Sequence, residues 1–500
     1  LAFFFTKMPD IGLDSAFPDV DFIVPKSVVI GTEVFNEFIE ENDLEKFIHE
    51  NESDDDIDTA FKASSFPEDL IEDLSVMLEN TSWPLAVRSS SLLEDASHQP
   101  FAGVYATHML ANDHPDLSVR LRRLLEAIKL VYASTYHRGA KAYVRATPNS
   151  IEDEQMAVVV QELVGNEVNG RFYPHISGAA RSHNHYPVAP LESEDGMAAI
   201  CIGLGRQVAM GGKCLRYSPG QPKRIHQFHS TEAILESSQR NFYAIPMIEE
   251  DGEVYSNEEK NLEQYSLEIA ELDGVLSLVG STYVVSDDRI VDSVMVTGGP
   301  RLVTFAPILK HGRFPLSEIL HHVLSTCESY LGSPVEIEFA VNIDKKSNKR
   351  KFALLQVRTM MDDSVDIDID LSEVDRKSAV VISSKSLGNG VIDDIRDVVY
   401  VNPSKLDRMR TTNLIDEIEA IDAILRKQKR PYLLIGPGRW GSSDPSLGIP
   451  VEWNQIMGAK AIVEVPMSDI HVEPSQGTHF FQNIVSFNIG YLTIGHDDLV

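Results

Sequence analysis

The sequence predicts a protein of mixed α and β structure, of the α+β or α/β class, on three observations. Residues 117–131 and 316–331 carry apolar side chains at helical spacing. Short β-branched apolar runs occur at 156–164, 198–202, 335–342 and 351–358, each too short for a buried helix. Helix-like and strand-like segments are mixed along the chain instead of being segregated.

The elements follow from local composition. Between Asp116 and Arg145 there is no proline and one glycine, and Leu117, Leu121, Leu124, Leu125, Ile128 and Val131 recur at one helix face, so one helix is expected across this stretch. Residues 156–164 (MAVVVQELV) predict a central strand that leaves its sheet near Gln161. Residues 198–202 predict another, ending in the turn Gly203 to Gly205. The amphipathic stretch from Leu316 to Leu331 stops at Gly332-Ser333-Pro334, a helix terminator. Two strands follow, 335–342 (VEIEFAVN) and 351–358 (KFALLQVR), joined by a polar turn.

The 500 residues include 44 basic and 76 acidic side chains, a net charge of −32. So acidic a chain disfavours general binding to nucleic acid or to anionic membranes, while leaving room for a local basic pocket. Cys201, Cys214 and Cys327 are too few and too scattered for a disulfide framework or a four-ligand zinc site, so a reducing, cytoplasmic compartment is the expectation. Leu1 is read as a cut edge, with no signal peptide and no run long enough to span a bilayer. The acidic run 362–374 suggests a linker, set at 362–378, before a C-terminal α/β block at 379–500; its period-two alternation also fits an edge strand.

The last hairpin carries the chemistry. Val335, Ile337, Phe339 and Val341 share one face, which leaves Glu336 and Glu338 on the other. A turn centred near Ser347 pairs Glu338 with Gln356 and Glu336 with Arg358. Two carboxylates, an amide oxygen and a guanidinium then share one surface. Hard oxygen ligands of this kind suit Mg²⁺, which takes its remaining ligands from water and nucleotide phosphates, and Arg358 would balance phosphate charge. A solvated face with a Glu–Arg cross-strand pair accounts for the same residues. In a second segment, 83–110, an apolar strand delivers Arg88 into Ser89, Ser90 and Ser91; the hydroxyls and the guanidinium fit a phosphate site, and equally a serine-rich surface turn.

The runs AVRSSSLLED at 86–95 and FAGVYATHML at 101–110, the strand AVVVQELV at 157–164, the turn GLGRQVAMGG at 203–212, and the pair EIEFAV and LLQVR at 336–341 and 354–358 appear in the order found in one family. Over about residues 1–361 they resemble the nucleotide-binding domain of phosphoenolpyruvate synthase and pyruvate phosphate dikinase, a relative of the ATP-grasp fold. The resemblance implies a two-lobed domain, 1–150 and 151–361, that binds ATP and Mg²⁺ and passes phosphate to a histidine or another acceptor. Arg88 would contact the phosphates, and Gln161, Glu162 and Val164 would read the adenine edge. Glu338 and Gln356 would hold the metal, Arg358 would lie against the terminal phosphate, and Glu336 would join the cofactor-binding surface. The hairpin register and the resemblance select the same face. Pyruvate or phosphoenolpyruvate, or a phospho-acceptor domain supplied elsewhere, would be the partner.

The departures are specific. The family's glycine-lysine phosphate loop falls just before Leu1. Gly203-Leu204-Gly205-Arg206 carries arginine where the family has glutamate, which opens the alternative of a nucleotide-binding regulatory module with impaired catalysis. Residues 172–187 (FYPHISGAARSHNHYP) replace the usual arrangement after the adenine strand. The residues after Met361 are too few for both a carrier domain and a pyruvate-binding barrel, although Thr478-His479 superficially resembles a phosphoryl-carrier histidine; a buried, satisfied histidine fits as well. The G-x-G-x-x-G at Gly436, Gly438 and Gly441 lacks a following helix, since Pro445 and Pro450 interrupt it, so an ordered turn or an anion loop using Arg439 is expected instead of a dinucleotide site. His183 and His185, two apart, suit a surface or supporting role more than a metal site.

Overall fold

A computed structural model describes residues 6, 11–51, 53–91, 93–94, 103–145, 150–151, 154–247, 254, 261–343, 349–360, 379–388, 390–403, 411–466 and 478–494. The acidic segment 362–378 lies outside the described residues, so the linker reading does not meet the structure.

The chain is a mixed α and β protein built on several separate sheets, in agreement with the sequence. A four-stranded sheet orders Ser27–Ile30, Met156–Glu162, Leu85–Ser91 and Thr107–Leu110, all antiparallel. The run 156–164 is central in it, as its two-sided burial requires. Helices from 32 to 79 and Leu117–Ser134 cover one face, filling a core with Phe35, Phe38, Phe61, Ile128 and Tyr132. The helix expected across 117–145 is two: Leu117–Ser134, capped by Asp116 accepting from the Ser118 amide, and Arg138–Arg145. The break follows Ser134, whose hydroxyl accepts from the Ala106 amide at 3.0 Å while donating to the Val131 carbonyl at 2.7 Å. Polar bonding of a serine to its own backbone competes with helix continuation.

The second sheet has six strands, in the order Val20–Ile23, Arg350–Thr359, Val335–Ile343, Ile176–Arg181, Met197–Cys201 and Leu215–Tyr217. Helix Leu316–Leu331 buries Ile319, Leu320, Val323 and Cys327 against Val335, Ile337, Phe339 and Val341. Its end at Gly332, with φ 71°, is the left-handed cap that the sequence predicts. Val20–Ile23 pairs in parallel with Ala353 and its neighbours, so the start of the chain contributes a strand to the sheet of the second lobe.

The C-terminal block forms a five-stranded sheet, Lys385–Leu387, Gly490–Thr493, Ala459–Val465, Tyr432–Pro437 and Asp397–Tyr400, with helices Thr411–Lys427 and His479–Ser486. One face of this sheet has a small core of its own, Ile435, Val463 and Ile494, while its larger aromatics pack into the first lobe. Trp440, Trp453, Phe480, Phe481 and Tyr491 belong to the same buried cluster as Phe35 and Tyr132. Tyr143 of the first lobe packs edge-on against Phe487 at 4.8 Å and donates to Asn483 at 3.3 Å. No helix among the described residues is long and apolar enough to cross a membrane.

Candidate functional site

The hairpin 335–359 has the register the sequence predicts: Glu338 faces Gln356 and Glu336 faces Arg358. A bulge after Glu338 shifts the pairing, so Phe339 faces Leu354 and Leu355 is the extra residue. A bulge bends and twists a strand locally; this one falls where the polar side chains emerge.

Strand Leu85–Ser91 from the other sheet meets this surface through Arg88. Nη2 of Arg88 donates to Oε1 of Gln356 at 2.8 Å and lies 3.8 Å from Oε2 of Glu338. Between the sheets is a cavity of about 340 Å³, within the range of small-molecule sites. Arg88, Gln161, Glu162, Val164, Glu336, Glu338, Gln356 and Arg358 all line it, whereas Ser89, Ser90 and Ser91 do not, and Ser91 Oγ accepts from the Glu94 amide at 3.0 Å. Strand Met156–Glu162 ends beside the cavity, and residues 163–164 continue along its wall. Gln161 donates to Ser27 Oγ at 3.2 Å and Glu162 accepts from Thr81 Oγ1 at 3.2 Å, which holds the strand end in place.

Glu336 departs from the expectation of a nucleotide-binding group. It is 3% exposed. Its carboxylate accepts from Arg181 Nε, from Arg358 Nε at 2.9 Å and from Gln482 Nε2 at 2.6 Å. Burial opposes its ionisation, but the flanking Arg181 and Arg358 guanidiniums prevail and hold the carboxyl down at about 2. A carboxylate so fully engaged serves as an internal anchor. The alternation of the strand gave no sign of this, because Arg181 and Gln482 arrive from 155 and 146 residues away.

Glu338 and Gln356 remain at the cavity surface as two hard oxygen donors on facing strands. That donor set fits a Mg²⁺ ion, which uses one or two protein oxygens and completes its shell with phosphate and water. Among the described residues no group of three His, Cys, Asp or Glu side chains is arranged to hold a metal ion. His183 meets His185 edge-on at 5.2 Å, and His185 packs against Phe481 at 5.9 Å, a supporting role for this pair. All three cysteines are buried and free.

The C-terminal block supplies the wall that the sequence left open. Helix His479–Ser486 begins at Thr478, whose hydroxyl accepts from the Phe481 amide at 3.1 Å, and places His479 and Gln482 on the cavity. Burial, aided by the nearby Arg358, pushes the His479 imidazole down from its ordinary value. The Gly103 backbone approaches this ring so closely that a β-carbon there would lie 2.7 Å from the ring Cγ. The G-x-G-x-x-G segment is an ordered turn: Ser442 Oγ donates to the Gly211 carbonyl at 3.0 Å and the Ser443 amide to Met210 at 3.0 Å. Gly441, with φ 73°, lies against Phe480, where a β-carbon would be 2.2 Å from the ring. Arg439 is buried and donates to the Gly211 carbonyl at 3.4 Å, so it ties the turn 203–212 to the C-terminal block. Arg206, at the position where the resemblance has glutamate, lines the cavity.

Two sheets that enclose a cavity lined by arginines, carboxylates and amide oxygens are the framework of an ATP-binding phosphotransferase family. The chain belongs to the pyruvate phosphate dikinase AMP/ATP-binding domain family, whose model matches residues 11–374. It is also similar to a protein of Bacillus subtilis (strain 168) named as the uncharacterized phosphotransferase YvkC, with 27% identity over 150 residues. That match covers 29% of this chain and 16% of the relative.

Proposed function

We propose that this chain is an ATP-dependent phosphotransferase of the dikinase type, on an ATP-grasp-like domain, and that His479 accepts the phosphoryl group. The observation that carries this reading is the position of His479: it lines the same cavity as Arg88, Glu338, Gln356 and Arg358 although more than a hundred residues separate it from the hairpin.

The residues divide the work. Gln161, Glu162 and Val164 bound the nucleotide end of the cavity, and Arg88 and Arg358 neutralise charge on the phosphates. Glu338 and Gln356 would hold a magnesium ion, which polarises phosphate oxygens and offsets their charge. The imidazole, kept neutral by burial, attacks phosphorus with a nitrogen lone pair. At the β-phosphorus a nitrogen–phosphorus bond forms as the bond to the oxygen shared with the α-phosphate breaks, AMP departs with that oxygen and its electron pair, and hydrolysis of the β–γ bond releases inorganic phosphate and leaves one phosphoryl group on the ring. The N-terminus of the helix, one residue from the ring, favours the charge then placed on His479. Pyruvate, or an acceptor on another molecule, would receive the group next.

Arg206 favours a second reading, a regulatory module that binds nucleotide without turnover. ATP labelled in turn at the β- and γ-phosphates separates the two. Acid-labile label on the protein with release of AMP, both lost in His479→Ala while ATP still binds, supports the transferase. Tight binding with neither label nor AMP supports the module.

A further inference from the structure

Gln482 lies one turn beyond His479 on its helix, where positions i and i+3 share a face. Its Nε2 donates to Glu336 at 2.6 Å. A buried carboxylate flanked by two arginines can only accept, so this bond fixes which way the amide points: nitrogen to Glu336, oxygen away from it. That oxygen, Oε1, is buried and meets no hydrogen-bond partner, and the same holds for Nδ1 of His479. Orphaned buried polar atoms are rare and costly in folded proteins. Here one is an obligate acceptor and the other a nitrogen able to donate, on adjacent turns, and the Gln482 side chain already favours the protonated ring.

We propose that Gln482 is the positioning residue for His479: its Oε1 takes the Nδ1 hydrogen, which holds the imidazole in the tautomer whose lone pair is on Nε2, directed at the cavity. Glu336, clasped by Arg181 and Arg358, anchors the relay His479–Gln482–Glu336. An imidazole that must act through one nitrogen commonly has its tautomer set by a hydrogen bond at the other, often to a carboxylate. An amide here orients the ring without adding negative charge beside an incoming phosphate. The Nδ1 proton stays in place through the transfer, so no base is needed. The relay also joins the two functions of Glu336, because the carboxylate that orients Arg358 also orients the acceptor helix. This inference rests on His479 as acceptor, and the experiment keeps the two apart.

The experiment uses the full chain with ¹⁵N-labelled histidine, His479 being assigned by its absence in His479→Ala, together with label transfer from ATP. We expect the wild-type spectrum to show Nδ1 protonated and Nε2 bare. Gln482→Met, close in volume and without an acceptor, should mix the tautomers and slow label transfer at saturating ATP by about 10–100-fold. A merely structural Gln482 would lower the melting temperature and leave the tautomer alone. If wild-type His479 carries its proton on Nε2, the relay is overturned whether or not any variant folds. It is overturned equally if Gln482→Met leaves both tautomer and rate unchanged. If wild type takes no label at all, the acceptor reading fails, and the spectrum alone still decides the tautomer.

Discussion

Arg88 donates to Gln356 across 268 residues of sequence, at 2.8 Å, and this bond joins the two sheets at the floor of the cavity. The partners are the charge and one of the oxygens that the site needs, so the free arrangement already holds them within reach of each other. If Arg88 turns to a phosphate and a magnesium ion takes over the Gln356 oxygen, as the proposed function requires, nucleotide and metal binding are coupled. We expect Gln356→Ala to weaken magnesium-dependent nucleotide binding while leaving magnesium-independent binding nearly unchanged, as titration calorimetry with and without the ion would read.

Glu338→Ala should abolish nucleotide turnover with little loss of stability, within about 0.5 kcal/mol, because Glu338 is partly exposed and makes a 3.8 Å approach to Arg88 instead of a buried bond. Turnover assays beside urea unfolding check it; turnover at the wild-type level would reject the metal assignment.

Glu336→Gln should behave in the opposite way. Removing the charge leaves Arg181 and Arg358 uncompensated, at a cost of about 3–5 kcal/mol. The pH dependence follows from the depressed carboxyl, about 2 in the folded chain against 4.5 ordinarily. The stabilisation is complete above pH 5 and is lost as pH falls from about 4.5 toward 2. Unfolding of both proteins across that window should show their difference shrinking on the acid side.

Gly103→Ala tests the docking of His479. With φ 68° and a ring atom 2.7 Å from the added β-carbon, the substitution forces the imidazole aside. We expect ATP binding to persist and label transfer to fall by at least tenfold; an unchanged rate would show that the ring does not act from this position.

The pH profile of transfer is a further check. Burial lowers the imidazole's affinity for protons, so the acid limb of the rate should lie below pH 6.5, the ordinary histidine value.

The facing pairs Glu338–Gln356 and Glu336–Arg358 were legible in the sequence, since alternation and a single turn fix which side chains share a face, while the bulge at Leu355, which shifts the pairing beyond it by one residue, and the burial of Glu336 escaped. The Leu316–Leu331 helix was legible to the residue because Gly332 ends it. Arg88 could be placed near the hairpin only through resemblance, as no local rule joins positions 268 apart. Gln482 was beyond reach: on a helix otherwise rich in Phe480, Phe481 and Ile484 it reads as a surface polar residue, and its meaning comes from Glu336 on another sheet. The split at Ser134 escaped because its cause, the amide of Ala106, lies on a separate segment.

The aromatic seam between the first lobe and the C-terminal block bears on how a phosphohistidine would be emptied. Lifting the His479 helix away would expose Phe480, Phe481, Trp453 and Tyr143 to water, at about 1.5–3 kcal/mol for each large apolar side chain. If His479 does take a phosphoryl group, a helix moored so heavily does not commute between stations, and whatever collects that group would have to travel to it.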